Sequence, residues 1–238
     1  MTRELVYGRR PVREVLRAGK RQLLELLVTE RALAAEPWLR EIAGLRLHVH
    51  REGRLTEAAQ TRDHQGVVAF CGPYRYAEAH ELAAGGTPLV VCLDQVTDPQ
   101  NLGAVCRSAE GAAASGVVVT ERNAARVTPA VCKASAGAVE HLAVAVVVNL
   151  ARYLEEIKGP RLWVWAAAGD ADTPVWSADL ATGAALVFGA EGRGLRPGVR
   201  RVCDDAFAIP LAGSVESLNV SVAAGVALFE AARQRRAG

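Results

Sequence analysis

"LVVCLDQVTDPQNLGAVCRSAEGAAASGVVVT", residues Leu89 to Thr120, decides the fold. It opens with an apolar run, Leu89–Leu93, closes with a second, Gly116–Thr120, and holds a proline turn and an alanine-rich helical stretch between them. Strands without polar alternation are buried on both faces, and two such strands joined by a helix lie parallel. The same kind of run recurs in "RLWVWAAA" (Arg161 to Ala168), "ALVFG" (Ala185 to Gly189) and "AFAIPL" (Ala206 to Leu211), mostly with helical stretches between. Residues 88–238 therefore read as an α/β domain with a mainly parallel sheet covered on both sides. In such sheets ligands bind beyond the carboxyl ends of the strands, so the informative polar residues should follow the strands directly.

Upstream, residues 1–75 form a separate small α/β module. Its strands are expected at Leu23–Thr29, Arg46–His50 and Gly66–Cys71, with helices around Pro37–Ala43 and Leu55–Gln60. Residues 76–87 lose strand character, end in Gly-Gly before Thr87, and read as the linker. The chain carries 28 Lys/Arg against 26 Asp/Glu, but the basic excess is confined to residues 1–75, with 14 basic and nine acidic residues. A positive first module suits a polyanionic partner such as RNA.

Nothing at the start resembles a signal peptide, and the longest apolar run, "LAVAVVV" (Leu142 to Val148), is too short to span a bilayer. The five cysteines are scattered, without a C-x-x-C pair, which suits a reducing cytoplasm and small core residues rather than disulfides or zinc. His48 and His50 alternate on one strand but lack a third ligand, so no metal site is expected.

Three loops carry the candidate chemistry. After the strand ending at Leu93 come Pro99, Asn101 and, two turns into the helix, Arg107. Asn101 could be an ordinary helix cap, whereas Arg107 sits among Ala, Val and Cys with little polar face to explain it. After Gly189 comes "GAEGRGL", where Glu191 lies between glycines that permit close backbone approach. This is neither a nicotinamide fingerprint nor a P-loop. After Leu211 comes "AGSVESLNVSVAAGVALFEAARQRR", where Ser214 or Ser217 can cap a long helix and the stripe of Leu218, Val222, Val226 and Phe229 reads as core.

Taken together, Asn101 with Arg107, Glu191 in a glycine loop, and Ser217-Leu218-Asn219 resemble the three signature motifs of the SpoU/TrmH branch of the SPOUT RNA 2′-O-ribose methyltransferases. The resemblance runs from Asp94 to the C-terminus and takes in "KASAGAVEHL" (Lys133 to Leu142). "YGRRPVREVL" (Tyr7 to Leu16) and "HQGVVAF" (His64 to Phe70) look like the RNA-binding domain of the RlmB-type enzymes, which modify a guanosine in the peptidyl-transferase region of bacterial 23S rRNA.

The resemblance implies a C-terminal trefoil knot, S-adenosylmethionine as cofactor, a homodimer, and no metal requirement. By the same resemblance the loops holding Gly189, Ile209 and Leu218 contact the cofactor, largely through backbone. Arg107 matches the arginine assigned to activating the 2′-hydroxyl. A guanidinium is a poor base, so Arg107 either loses a proton transiently or stays cationic and stabilises the developing alkoxide while a phosphate takes the proton; the second fits the chemistry better. Asn101 would orient Arg107 or the ribose, Glu191 would fix one of them, and Ser217 and Asn219 would shape the loop around the cofactor and ribose. Arg9, Arg10 and Arg13 are candidate RNA contacts. The alternatives are a tRNA ribose methyltransferase, an rRNA methylase conferring thiopeptide resistance, and a non-catalytic RNA-binding assembly factor.

Overall fold

The computed structural model describes residues 3–42 and 46–237, which divide into two compact units. The first comprises the chain up to Arg75 together with Val127–His141. It contains β1 (Glu4–Tyr7), α1 (Arg9–Ala18), β2 (Leu23–Val28), α2 (Glu30–Ala35), β3 (Leu47–Val49), α3 (Glu52–Ala59) and β4 (Val67–Cys71). The sheet order is β1-β4-β2-β3, with β4 antiparallel to both neighbours and β2 parallel to β3.

Local chemistry accounts for these boundaries. Thr29 caps α2 by accepting from the Ala32 amide, and Gly19, at a φ of 63° that a side chain would resist, ends α1. The helix expected around Pro37–Ala43 is a single 3-10 turn, Pro37–Leu39; Ala43 lies outside the described residues. Thr29 instead caps a helix directly after β2, Glu30–Ala35.

The returning segment contains α6 (Pro129–Ala134), preceded by its cap Thr128, and belongs with this unit although it lies between strands of the other. Arg21 Nε donates to Glu140 Oε2 at 3.0 Å and Nη2 reaches Oε1, both side chains being 2% exposed. The Tyr74 hydroxyl donates to the Val139 carbonyl at 3.0 Å. A buried guanidinium–carboxylate pair with this many bonds fixes where the segment docks, because separating it leaves a charge in the core.

The second unit, Tyr76–Arg126 with Leu142–Gly238, holds a wholly parallel six-stranded sheet. Its elements are α4 (Ala79–Ala83), β5 (Leu89–Asp94), α5 (Pro99–Gly111), β6 (Gly116–Thr120), β7 (Val144–Val147), α7 (Leu150–Ile157), β8 (Leu162–Ala167), β9 (Gly183–Gly189), α8 (Pro197–Val202), β10 (Asp205–Phe207) and α9 (Val220–Ala237). The order β10-β8-β9-β5-β6-β7 puts β5 and β9 side by side, so the loops after them emerge together. Every residue of β5 is buried, as expected for a sheet with both faces covered.

Two expectations change. Residues 76–87, read as linker, contain α4, whose Ala79 and Leu82 are buried in the core of this unit. The stripe read as core on α9 points outward: Val222, Val226 and Phe229 are 50%, 38% and 55% exposed, and Leu218 precedes the helix. The buried face is Val220, Ala224, Ala227, Leu228 and Ala231, in which three alanines let α9 pack closely on α5.

Candidate active site

The loop after β5 begins the site. Asp98 caps α5, its carboxylate accepting from the Gln100 amide at 2.9 Å, with Pro99 as the first helical residue. Asn101 is therefore not the cap; it lies inside the first turn, buried, with its amide free to act elsewhere. That amide donates to Glu191 Oε1 at 3.0 Å. Asn219 caps α9, its Oδ1 accepting from the amide and hydroxyl of Ser221, so neither Ser214 nor Ser217 has that task. The Asn219 Nδ2 donates to Asn101 Oδ1 at 2.9 Å and to Glu191 Oε1 at 2.5 Å.

Three loops thus meet in one hydrogen-bonded cluster. A carboxylate bonded to residues in the first turn of α5 and at the cap of α9 lies where both helix dipoles favour negative charge. Hydrogen bonds to an ionised group are the stronger kind, although at the exposed Glu191 solvent screens part of their contribution.

Close packing shapes the glycine loop. A Cβ on Gly189 would fall 2.1 Å from the carbonyl carbon of Gly194, so the chain folds back on itself only with glycine there. The returning chain is held by Asp94, the buried last residue of β5, which accepts from the amide of Arg196, the cap of α8, at 2.9 Å and from its Nε at 2.8 Å. This Asp94–Arg196 anchor was missed in the sequence. Its signal was an aspartate closing an otherwise apolar strand.

Two cavities flank the cluster. One, of about 720 Å³, opens beyond the carboxyl ends of β8, β9 and β10; Gly189, Ile209, Ser217 and Leu218 line it with Glu191 and Asn219. The other, of about 490 Å³, is lined by Gln95, Asp98, Asn101, Asn123, Glu191 and Arg193, among others. Ala190, Glu191 and Val220 line both. Gln95 and Asn123 hold φ of 60° and 55°, left-handed backbone that concentrates at functional loops.

The first cavity fits S-adenosylmethionine in size and character. It combines apolar walls at Phe188, Phe207 and Ile209 with polar groups at Glu191, Glu216 and Ser217, and Gly189 removes the side chain that would block the loop bordering it.

Arg107 does not join the cluster. It is exposed on α5, and its guanidinium makes no hydrogen bond or ion pair among the described residues. Six residues advance a helix by about 600°, leaving Arg107 roughly 120° around the axis from Asn101. The expected contact with Asn101 or Glu191 is therefore absent, and Glu191 binds the two asparagines instead. In the first unit Arg9 donates to the Gln65 carbonyl and pairs with Glu36, while Arg10 and Arg13 are exposed on α1. Among the described residues, no group of three or more His, Cys, Asp or Glu is placed to hold a metal ion, and no helix is long and apolar enough to cross a membrane.

Comparison with known proteins adds to this geometry. Residues 88–229 match the SpoU rRNA Methylase family, and residues 5–77 match the RNA 2'-O ribose methyltransferase substrate binding domain. The 23S rRNA (guanosine-2'-O-)-methyltransferase RlmB of Photobacterium profundum is 37% identical, over 99% of this chain and 100% of its own length. That of Vibrio cholerae is 39% identical, over 100% of this chain and 99% of its own. Among solved structures, the SpoU methyltransferase AviRb from Streptomyces viridochromogenes, in complex with the cofactor AdoMet, superposes with a TM-score of 0.85 at 26% identity. That match covers 99% of this chain and 92% of AviRb. An RNA 2'-O ribose methyltransferase superposes at 0.80 with 31% identity, covering 98% of this chain and 89% of its own.

Proposed function

Because the chain belongs to the SpoU rRNA methylase family, we propose that it transfers a methyl group from S-adenosylmethionine to the ribose 2′-hydroxyl of a guanosine in the peptidyl-transferase region of 23S rRNA. The observation that carries this reading is the wall common to two cavities, where Glu191 is held by Asn101 and Asn219. One cavity fits a methyl donor and the other opens on the same carboxylate, the arrangement that a transfer between two bound molecules requires.

S-adenosylmethionine would supply a methyl group on a sulfonium, from which a neutral thioether leaves readily as the methyl–sulfur bond breaks. The chain's task is to position the hydroxyl and help remove its proton. Glu191, fixed by two amides, orients the ribose at the junction of the cavities, with Asn101 facing the acceptor side and Asn219 and Ser217 the donor side. Gly189, Ile209 and Leu218 form the donor wall. Arg107 stays cationic and reaches the RNA when it binds, stabilising the developing 2′-oxyanion while a phosphate takes the proton. In the first unit Arg10 and Arg13, exposed on α1, contact RNA phosphates.

The active species in this reading is a cytoplasmic homodimer with a C-terminal knot. Its two-fold contact is the outward stripe of Val222, Val226 and Phe229 on α9, an apolar surface a monomer would leave in water.

Methyl incorporation from labelled S-adenosylmethionine, compared between a transcript of the peptidyl-transferase region and a tRNA pool, tests the substrate. Incorporation into the ribosomal transcript is expected. Incorporation confined to tRNA would keep the chemistry and overturn the substrate.

A further inference from the structure

The first unit holds a cavity that the methyl-transfer reading does not use. Of about 780 Å³, it opens at the carboxyl ends of the parallel strands β2 and β3, between α2, α3 and the turn that enters β4. Arg31, Arg51 and Arg62 line it, all exposed, and among the described residues none of their guanidinium groups makes a hydrogen bond or ion pair. Arg3, Arg17, Arg21 and Arg54 are each paired with a glutamate of this unit, whereas Arg10 and Arg13 on α1 share the unpaired state of the three but do not line the cavity. Two glutamates, Glu30 and Glu52, lie on the same rim and still leave the three arginines unpaired. With Arg9, the arginines lining this concave surface outnumber its two carboxylates, an excess of positive charge that raises the local potential and draws in anions.

The three arginines come from different places: Arg31 from α2, Arg51 from the cap of α3, and Arg62 from the loop before β4. Side chains supplied by three separate elements suit the successive phosphates of one strand. Arg9 also lines the cavity, its guanidinium held by Gln65 and Glu36, and it joins the cleft to the α1 face that carries Arg10 and Arg13.

We infer that this cleft is an RNA-backbone site, in which Arg31, Arg51 and Arg62 each contact a phosphate of a strand lying across the ends of β2 and β3. The inference rests on the chain acting on RNA. It moves the main electrostatic contact from α1 to the strand ends.

The test is binding of the peptidyl-transferase transcript, measured without S-adenosylmethionine across a salt series, for the intact protein and for the triple variant Arg31→Ala, Arg51→Ala, Arg62→Ala. Each lost phosphate contact should flatten the slope of log affinity against log salt by about 0.7–0.9, and the triple variant should bind at least about tenfold more weakly at low salt. The matching triple lysine variant should recover most of the slope, since a phosphate accepts a point charge. A control that removes Arg152, Arg161 and Arg233, exposed in the second unit, should leave the slope near that of the intact protein. An unchanged slope in the cleft variant would overturn the inference, as would an equal loss in the control. Loss of mononucleotide or inorganic phosphate binding with RNA binding intact would overturn it too, because the cleft would then be a small-anion site. Cofactor affinity and the unfolding midpoint show that the variants are folded. An intact protein that binds RNA through this cleft yet methylates nothing would sink the proposed activity and leave the cleft standing.

Discussion

Glu191 is the residue on which the site turns, because a single one of its oxygens accepts from the side chains of Asn101 and Asn219, brought from opposite ends of the catalytic sequence. Each asparagine could be explained as a helix cap from its surroundings. Asn219 is a cap and Asn101 is not, and the difference comes from Asp98, which takes the cap position of α5 and releases the Asn101 amide. Arg107 is a cation on an open helix face, and its proposed task depends on a fork of donors that a lysine lacks. Arg107→Lys should therefore lower turnover by about 10²-fold or more while leaving cofactor affinity alone, as single-turnover methyl transfer and calorimetric titration would show. Near-full activity in that variant would remove Arg107 from the chemistry. Gly189→Ala makes a different prediction, since its new Cβ would collide with the Gly194 backbone and displace the loop. The displaced loop should bind S-adenosylmethionine about tenfold or more weakly, with the unfolding transition still cooperative.

At the scale of elements, the βαβ unit from Leu89 to Thr120 was legible because both strands are apolar throughout and the helix between them has its own cap and proline. β6 appears as expected at Gly116–Thr120, and the strand at Ala185 extends back to Gly183. Helix α9 was legible as a helix but not in its orientation. Val222, Val226 and Phe229 recur with helical spacing, and so do Val220, Ala224, Ala227 and Ala231; periodicity alone cannot say which stripe meets the protein. The alanine-rich face, with Val220 and Leu228, is the buried one and packs on α5, leaving Val222, Val226 and Phe229 outside. The docking of Val127–His141 with the first unit was hidden for a related reason. It depends on the Arg21–Glu140 pair, whose partners are 119 residues apart and have no local signal. If the outward stripe of α9 is the dimer contact, Phe229→Glu should convert a dimer to a monomer in sedimentation equilibrium, with the monomer still folded. A dimer that persists unchanged would place the contact elsewhere.

At the scale of the whole molecule, the sequence divided the chemistry between a basic module and a parallel α/β unit, and the family matches fall on those same two stretches. What composition could not supply was the pairing of two cavities at one carboxylate, since Gln95, Asn123 and Arg193 belong to loops far apart in the chain. The central claim is that the methyl group goes to a ribose oxygen, not to a base. The most direct measurement is methyl incorporation into two otherwise identical peptidyl-transferase transcripts, one carrying a 2′-deoxy substitution at the guanosine that mass spectrometry identifies as modified. The account predicts one methyl on the ribose of the unsubstituted transcript and none on the deoxy one; equal incorporation into both would contradict it.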